Sequence, residues 1–181
     1  LPTDAWMLGI DPMTQRDRLS EGLDAILRLL RSDDPVTLKT DWFTMNESVL
    51  HLRPYTDPHF EVAVAAVASP TGWSLAGEYG ISLLGVAATS EEGFDALARN
   101  WNITEAKAQE HGRSISRENM RLVGIIHIAE TREQAIEDVR FGLDHYVDYF
   151  QQTAAFPQMS FAGTTFEERV EYVNNSGFAS V

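Results

Sequence analysis

The chain has 181 residues, 44% hydrophobic and 23% charged, a globular composition long enough to bury roughly two-thirds of its unfolded surface. Its formal net charge of -13 argues against nucleic acid, whose phosphates need clustered Lys and Arg. With no cysteine, disulfides, thiolate metal sites and thiol nucleophiles are excluded and a cytoplasmic setting is implied; no apolar run approaches the roughly 20 residues of a membrane helix, and no leader is visible.

Leu1, rather than Met, opens the chain, which reads as a piece of something longer. Asp11 is a candidate N-cap with Pro12 at the first helical position. Leu19, Leu23, Ile26, Leu27 and Leu30 then recur at helical spacing and predict a helix from about Pro12 to Arg31, with Arg16 in its first turn and Arg28 and Arg31 suited to its far end. Val36 to Leu52 predicts one or two short strands outside the main core, and Pro54 and Pro58 punctuate a loop.

Phe60 to Ala68 is a nearly continuous run of small apolar residues, which predicts a parallel strand buried on both faces. It runs into Ser69-Pro70-Thr71-Gly72 and a helix to Tyr79. A hydroxyl and bare N–H groups thereby stand at a positive helix N-terminus, a standard way to hold a phosphate. Gly80 closes that helix and Ile81 to Ala88 is a second buried strand. Ser90 caps a helix with a face of Phe94, Leu97, Ala98 and Trp101, stopping at His111-Gly112; Met120 to Ala129 is a third strand.

Thr131 and Gln134 form a capping box, and Ala135, Val139, Leu143, Tyr146, Val147 and Phe150 form one stripe of a long helix. Pro157, Gly163 and Thr164 mark an excursion, and the tail from Asn174 shows no terminating element. Buried strands alternating with helices predict a parallel sheet in one domain, residues 1–181, either doubly wound or an eightfold barrel. Three such strands alone would leave two open apolar edges, so others must complete the sheet.

These residues resemble the bacterial luciferase-like flavin monooxygenase family. The resemblance rests on Trp6-Met7-Leu8-Gly9-Ile10-Asp11-Pro12 entering a helix with Arg16, Ala68-Ser69-Pro70-Thr71-Gly72, and Leu75-Ala76-Gly77-Glu78-Tyr79-Gly80. It continues through Trp101, Glu110-His111-Gly112-Arg113, Leu122 to Ile128, Ala129-Glu130-Thr131 and Tyr149-Phe150. It implies an α/β fold, a partial (β/α)8 TIM barrel running from the helix after strand four through strand seven and its insertion, without the earlier strands or the eighth.

By the same resemblance, Arg16 and Ser69 grip the phosphate of a flavin, with Thr71, Gly72 and Trp73 in the same turn. Gly85 falls where some members set a large side chain against the flavin ring. The family's flavin-orienting histidine belongs to the absent portion, so the catalytic residue is unassigned here. The implied activity is monooxygenation of a small apolar substrate with O2 and reduced FMN from a flavin reductase, in a homo-oligomer, dimer or tetramer. Two alternatives stay open: hydride transfer with the deazaflavin F420, or a non-catalytic fragment or flavin-binding subunit.

Blander readings compete at each position. Arg16 as a solvated residue of an acidic helix would sit unfavourably with the dipole unless an anion compensates it. Ser69 as a simple N-cap is compatible with a ligand role. His127, within an apolar strand, reads first as a satisfied core histidine; His51, His59, His111 and His145 lack metal-site spacing, so no metal is expected. Trp6, Trp42 and Trp101 read as packing anchors, with Trp73 left open; Asp144 with Asp148 and Glu133 with Glu137 read as a solvated acidic face. Ser69 lacks the glycines of a hydrolase elbow.

Overall fold

The computed structural model describes residues 2–66, 69–86, 91–154, 165–176 and 179–180. Two compact units divide the chain, Ala5–Val62 on one hand and Leu1–Asp4 with Ala63–Val181 on the other. A short helix, α1 (Pro2–Met7), opens it.

In the unit Ala5–Val62, Asp11 caps a single 3-10 turn, its Oδ1 accepting the Met13 N–H at 2.9 Å, and α2 (Gln15–Arg31) follows. Leu23, Ala25, Leu27 and Leu30 are buried, whereas Leu19 and Ile26 of the predicted stripe are exposed. Arg28, predicted to serve the C-terminal end, instead pairs one turn back with Asp24 at 2.8 Å. The orphan carbonyls of that end are met by Arg53, which donates to the oxygens of Leu29 (2.9 Å), Ser32 (3.0 Å) and Leu30 (3.1 Å).

The one or two short strands predicted after Val36 are two, β1 (Val36–Lys39) and β2 (Thr44–Ser48), paired as an antiparallel hairpin. Trp42 in its turn clasps α2: the indole N–H donates to Glu21 at 2.6 Å, and the Arg18 guanidinium lies 5.6 Å from the ring centre.

The other unit is built on β3 (Ala63–Ala66), β4 (Ser82–Val86) and β5 (Met120–Val123), parallel and paired in that order. Between them run α3 (Pro70–Tyr79) and α4 (Glu91–Glu110). Right-handed crossovers between consecutive neighbouring strands put both helices on one face of the sheet. Val64, Ala66 and Leu83 are buried on that face, while Ala63, Ala65 and Val123 of the other face are exposed. The first strand was expected to be buried on both sides; it alternates because nothing among the described residues covers its second face. Residues 67–68 and 87–90, including the predicted cap Ser90, lie outside the described residues.

Gly80 ends α3 in the left-handed conformation, φ 62° and ψ 41°, as its position after the helix implies. On α4 the buried residues among those described are Asn100, Trp101, Thr104 and Ala108; of the predicted face Trp101 is buried, Leu97 half-buried and Ala98 exposed, the side chain of Phe94 lies outside the described residues, and the face extends to Thr104 and Ala108, which lie against Gly77 of α3.

The predicted third strand breaks at Gly124. β5 pairs with β4, whereas β6 (Ile125–Ile126) pairs in parallel with β7 (Ala179–Ser180), so the tail read as having no terminating element ends in a strand. The predicted long helix is two, α5 (Arg132–Val139) and α6 (Leu143–Ala154), separated at Arg140–Gly142. Ala135, Leu143 and Val147 of its stripe are buried even so. The expected excursion around Pro157 and Gly163 lies outside the described residues.

A helix not anticipated from sequence, α7 (Phe166–Ser176), follows. Its start is a reciprocal box: the Glu168 N–H donates to Thr165 Oγ1 at 3.2 Å and the Thr165 N–H to Glu168 Oε2 at 3.1 Å. Arg169 of α7 meets Asp144 at 3.1 Å and Asp148 at 3.6 Å, so that pair shares one cation from a neighbouring helix and is not merely a solvated face.

A β-carbon on Gly77 would collide with the Thr104 carbonyl. Gly77→Ala should therefore destabilise the unit by about 1–3 kcal/mol, the usual cost of overpacking, despite the better helix propensity of alanine. Urea unfolding measures the shift.

Candidate functional site

Ser69 stands between β3 and α3 with extended backbone (φ -71°, ψ 135°), and Pro70 takes the first helical position. Its hydroxyl accepts the Thr71 N–H at 3.4 Å and donates to Thr71 Oγ1 at 3.1 Å, so the two hydroxyls sit side by side. Pro70 has no N–H, and by helix geometry the Gly72 N–H has no intrahelical acceptor. The positive end of α3 is thus lined by one N–H without an intrahelical acceptor, one weakly engaged N–H and two hydroxyls.

Gly72 is buried because the helix start abuts the strand end: a β-carbon there would lie 2.8 Å from Ala66 Cβ and 3.1 Å from the Ala65 carbonyl oxygen. Only glycine lets the amides come this far over the carboxyl edge of the sheet. That close approach, two hydroxyls and a positive helix end fit a phosphate group.

Trp73, expected in the same turn as a cofactor contact, is 1% exposed. Its ring lies 3.6 Å from where a β-carbon on Gly85 would be, and its carbonyl accepts the Thr104 hydroxyl at 2.9 Å. The indole is core. Gly85 is likewise displaced from its expected role: it pairs in register with Ala66 and Leu122 and turns toward the helix layer under Trp73, not toward a ligand on the opposite face.

Arg16 belongs to the other unit, as the second residue of α2. It is exposed, and among the described residues it has neither an ion-pair nor a hydrogen-bond partner, in contrast to Arg28, Arg53, Arg140 and Arg169. An unpaired cation at a helix N-terminus is the arrangement an anion would relieve.

His127 departs from the core histidine expected. Its side chain is 40% exposed, and its Nε2 lies 3.0 Å from Asp138 Oδ2. Gln134 donates to the other carboxylate oxygen at 2.6 Å, so this side chain is engaged in α5 and the predicted capping box is only half formed, with Thr131 Oγ1 accepting the Gln134 N–H at 3.1 Å. The bond to His127 first, and then the bond to Gln134, hold the Asp138 carboxyl below the usual range. Sequence reasoning missed Asp138; its i,i+4 spacing from Gln134 was the available signal.

Among the described residues no group of three or more His, Asp or Glu converges to hold a metal. No helix there is long and apolar enough to cross a membrane. A cavity of about 20 Å³ at the amino ends of the strands, lined by Ser82, Trp101, Thr104 and Asn119, has room for little more than one water.

A family model described as luciferase-like monooxygenase matches residues 2–181. The chain belongs to the luciferase-like monooxygenase family. Along its full length it is 42% identical to limonene 1,2-monooxygenase from Rhodococcus erythropolis, covering 45% of that protein. The chain spans less than half the length of the curated relatives it matches.

Solved structures sharing the fold include the oxygenating constituent of 3,6-diketocamphane monooxygenase from Pseudomonas putida, a type II Baeyer-Villiger enzyme in complex with FMN. It has a TM-score of 0.63 and 18% identity, over 98% of this chain and 54% of that one. An F420-dependent secondary alcohol dehydrogenase in complex with an F420-acetone adduct has a TM-score of 0.57 and 20% identity, over 97% and 52%. The fold is therefore the luciferase-like α/β barrel, of which this chain forms part.

With its indole in the core, Trp73→Ala should cost about 3–5 kcal/mol of stability. Urea unfolding separates this from a ligand contact, whose loss would leave the midpoint in place.

Proposed function

We propose that this chain carries the cofactor-phosphate grip of a flavin-dependent monooxygenase acting on a small apolar substrate. The observation that carries the reading is the Ser69 turn. Two hydroxyls and the forward amides of α3 stand at the carboxyl edge of parallel strands, the edge at which barrels of this kind bind their ligands.

In this reading Ser69 and Thr71 hydrogen-bond the phosphate of reduced FMN and Gly72 offers its N–H; for Arg16, in the unit Ala5–Val62, the proposal is that its exposed guanidinium takes an anionic group of the cofactor. The bound flavin supplies the electrons that activate O2. Trp73 acts only by holding the turn in place, through its packing on Gly85 and its bond from Thr104. A flavin reductase supplies the reduced cofactor, and the complete protein assembles as a homo-oligomer. Support for the substrate class is the 42% identity to an enzyme named for limonene, an apolar hydrocarbon.

The F420-dependent dehydrogenase among the fold's neighbours favours a second reading, in which the same grip holds a deazaflavin for hydride transfer. Oxygen consumption with reduced FMN supports the first reading; reduction of F420 by an alcohol, without oxygen uptake, supports the second.

Arg16→Ala should weaken FMN binding by about 1–3 kcal/mol, the scale of a hydrogen bond to a charged group. Ser69→Ala should weaken it as well, and cost about 1 kcal/mol of stability through the lost cap. Flavin fluorescence titration of the complete protein measures both affinities; unchanged values would remove these residues from the site.

A further inference from the structure

We propose that the cleft at the amino ends of the strands binds one water molecule, held by the Trp101 indole N–H and the Thr104 hydroxyl, which ties α4 to the loop leading into β5. The Trp101 indole is what calls for it. Trp101 is 5% exposed, its Nε1 is buried, and among the described residues that N–H has no hydrogen-bond partner. A buried indole N–H ordinarily finds an acceptor, because without one it forfeits the bond it makes to water in the unfolded chain.

The space beside it has the size and the chemistry. Trp101 and Thr104, three residues apart on one face of α4, line the cleft with Ser82 at the start of β4 and with Ser114, Ser116 and Asn119 before β5. Its volume of about 20 Å³ exceeds the roughly 10–15 Å³ that one water needs and excludes an organic ligand of several atoms. Cavities that stay dry are walled by apolar groups, whereas this one is lined by four hydroxyl residues, an amide and an indole.

The bonds already made set the direction of the new ones. The Thr104 hydroxyl donates to the Trp73 carbonyl at 2.9 Å, with the Asn100 carbonyl at 3.3 Å as a second acceptor, so its one hydrogen is committed and its oxygen remains an acceptor. A water in the cleft accepts from Trp101 Nε1, donates one hydrogen to Thr104 Oγ1, and keeps its other hydrogen and lone pair for the loop. Arg117 lies over the Trp101 ring, 5.4 Å from its centre, and satisfies its face; the N–H edge is left for the water. The product is a chain of bonds from Trp101 through the water and Thr104 to the Trp73 carbonyl of α3. It lies at the opposite ends of the strands from Ser69 and acts on the fold, not on a cofactor.

Crystal structures of the complete protein and of its Trp101→Phe variant test the site, since Phe keeps an aromatic ring and removes the donor. The expected result is one ordered water about 2.7–3.2 Å from Trp101 Nε1, with Thr104 Oγ1 and a loop group as its other partners, and loss or displacement of that water in Trp101→Phe. Backbone amides of residues 114–119 should also exchange with deuterium several-fold faster in the variant, while those of β3 keep their rate. An Nε1 that donates to a protein atom, a cleft without ordered water, or a water that stays in place in Trp101→Phe with loop exchange unchanged would overturn the proposal. Should Trp101→Phe fail to fold, the unmodified protein decides by NMR: magnetisation transfer between the Trp101 indole proton and a long-lived water supports the site, and its absence overturns it.

Discussion

The unit that carries the Ser69 turn depends on how closely α3 can lie against its neighbours. Gly72 meets the end of β3, Gly77 meets the backbone of α4, and Gly85 of β4 leaves the space into which Trp73 packs; a single methyl group at Gly72 or Gly77 would overlap atoms that have little room to move. Small residues at three contacts and one large indole between them make a joint with a single arrangement. The Thr104 hydroxyl, bonded to the Trp73 carbonyl inside it, adds direction to what is otherwise shape. Because the joint fixes α3, it also fixes where the first amides of the helix stand, and the candidate anion site inherits its rigidity from the core beneath it.

Much of this was legible in the sequence because it is written in local chemistry. Ser69 as N-cap, Gly80 as helix terminator and short strands after Val36 each depend on a few adjacent residues whose backbone preferences are strong. Facts set by distant partners were not legible. The break at Arg140–Gly142 interrupts an apolar stripe whose two halves still face one core, so periodicity alone read it as continuous. Asp144 and Asp148 looked like a solvated face because Arg169, which they share, is carried by a later helix whose Thr165–Glu168 box went unnoticed. Among the site residues, the polar turn was readable, but the direction of Trp73 and Gly85 was not, since strand parity and helix rotation decide it.

An acidic chain that binds an anion must do so locally. The net charge of -13 sets an unfavourable background, and most basic side chains with a defined geometry are already committed: Arg28 to Asp24, Arg53 to the end of α2 and Asp33, Arg140 to Glu137 and Glu167. Backbone amides carry no such commitments and do not titrate. A grip built from amides and hydroxyls therefore suits this composition better than a cluster of arginines would.

The break at Gly124 has a geometric consequence. One run of chain bonds β4 along residues 120–123 and then β7 along residues 125–126, so its two neighbours are offset along it by several residues. Offset of this kind, repeated around a closed sheet, is shear, and shear together with strand number sets the tilt of the strands and the girth of the cylinder. The two-residue pairing with β7 thus gives the run of chain on either side of Gly124 two partners at different heights, the kind of stagger that a slanted sheet is built from.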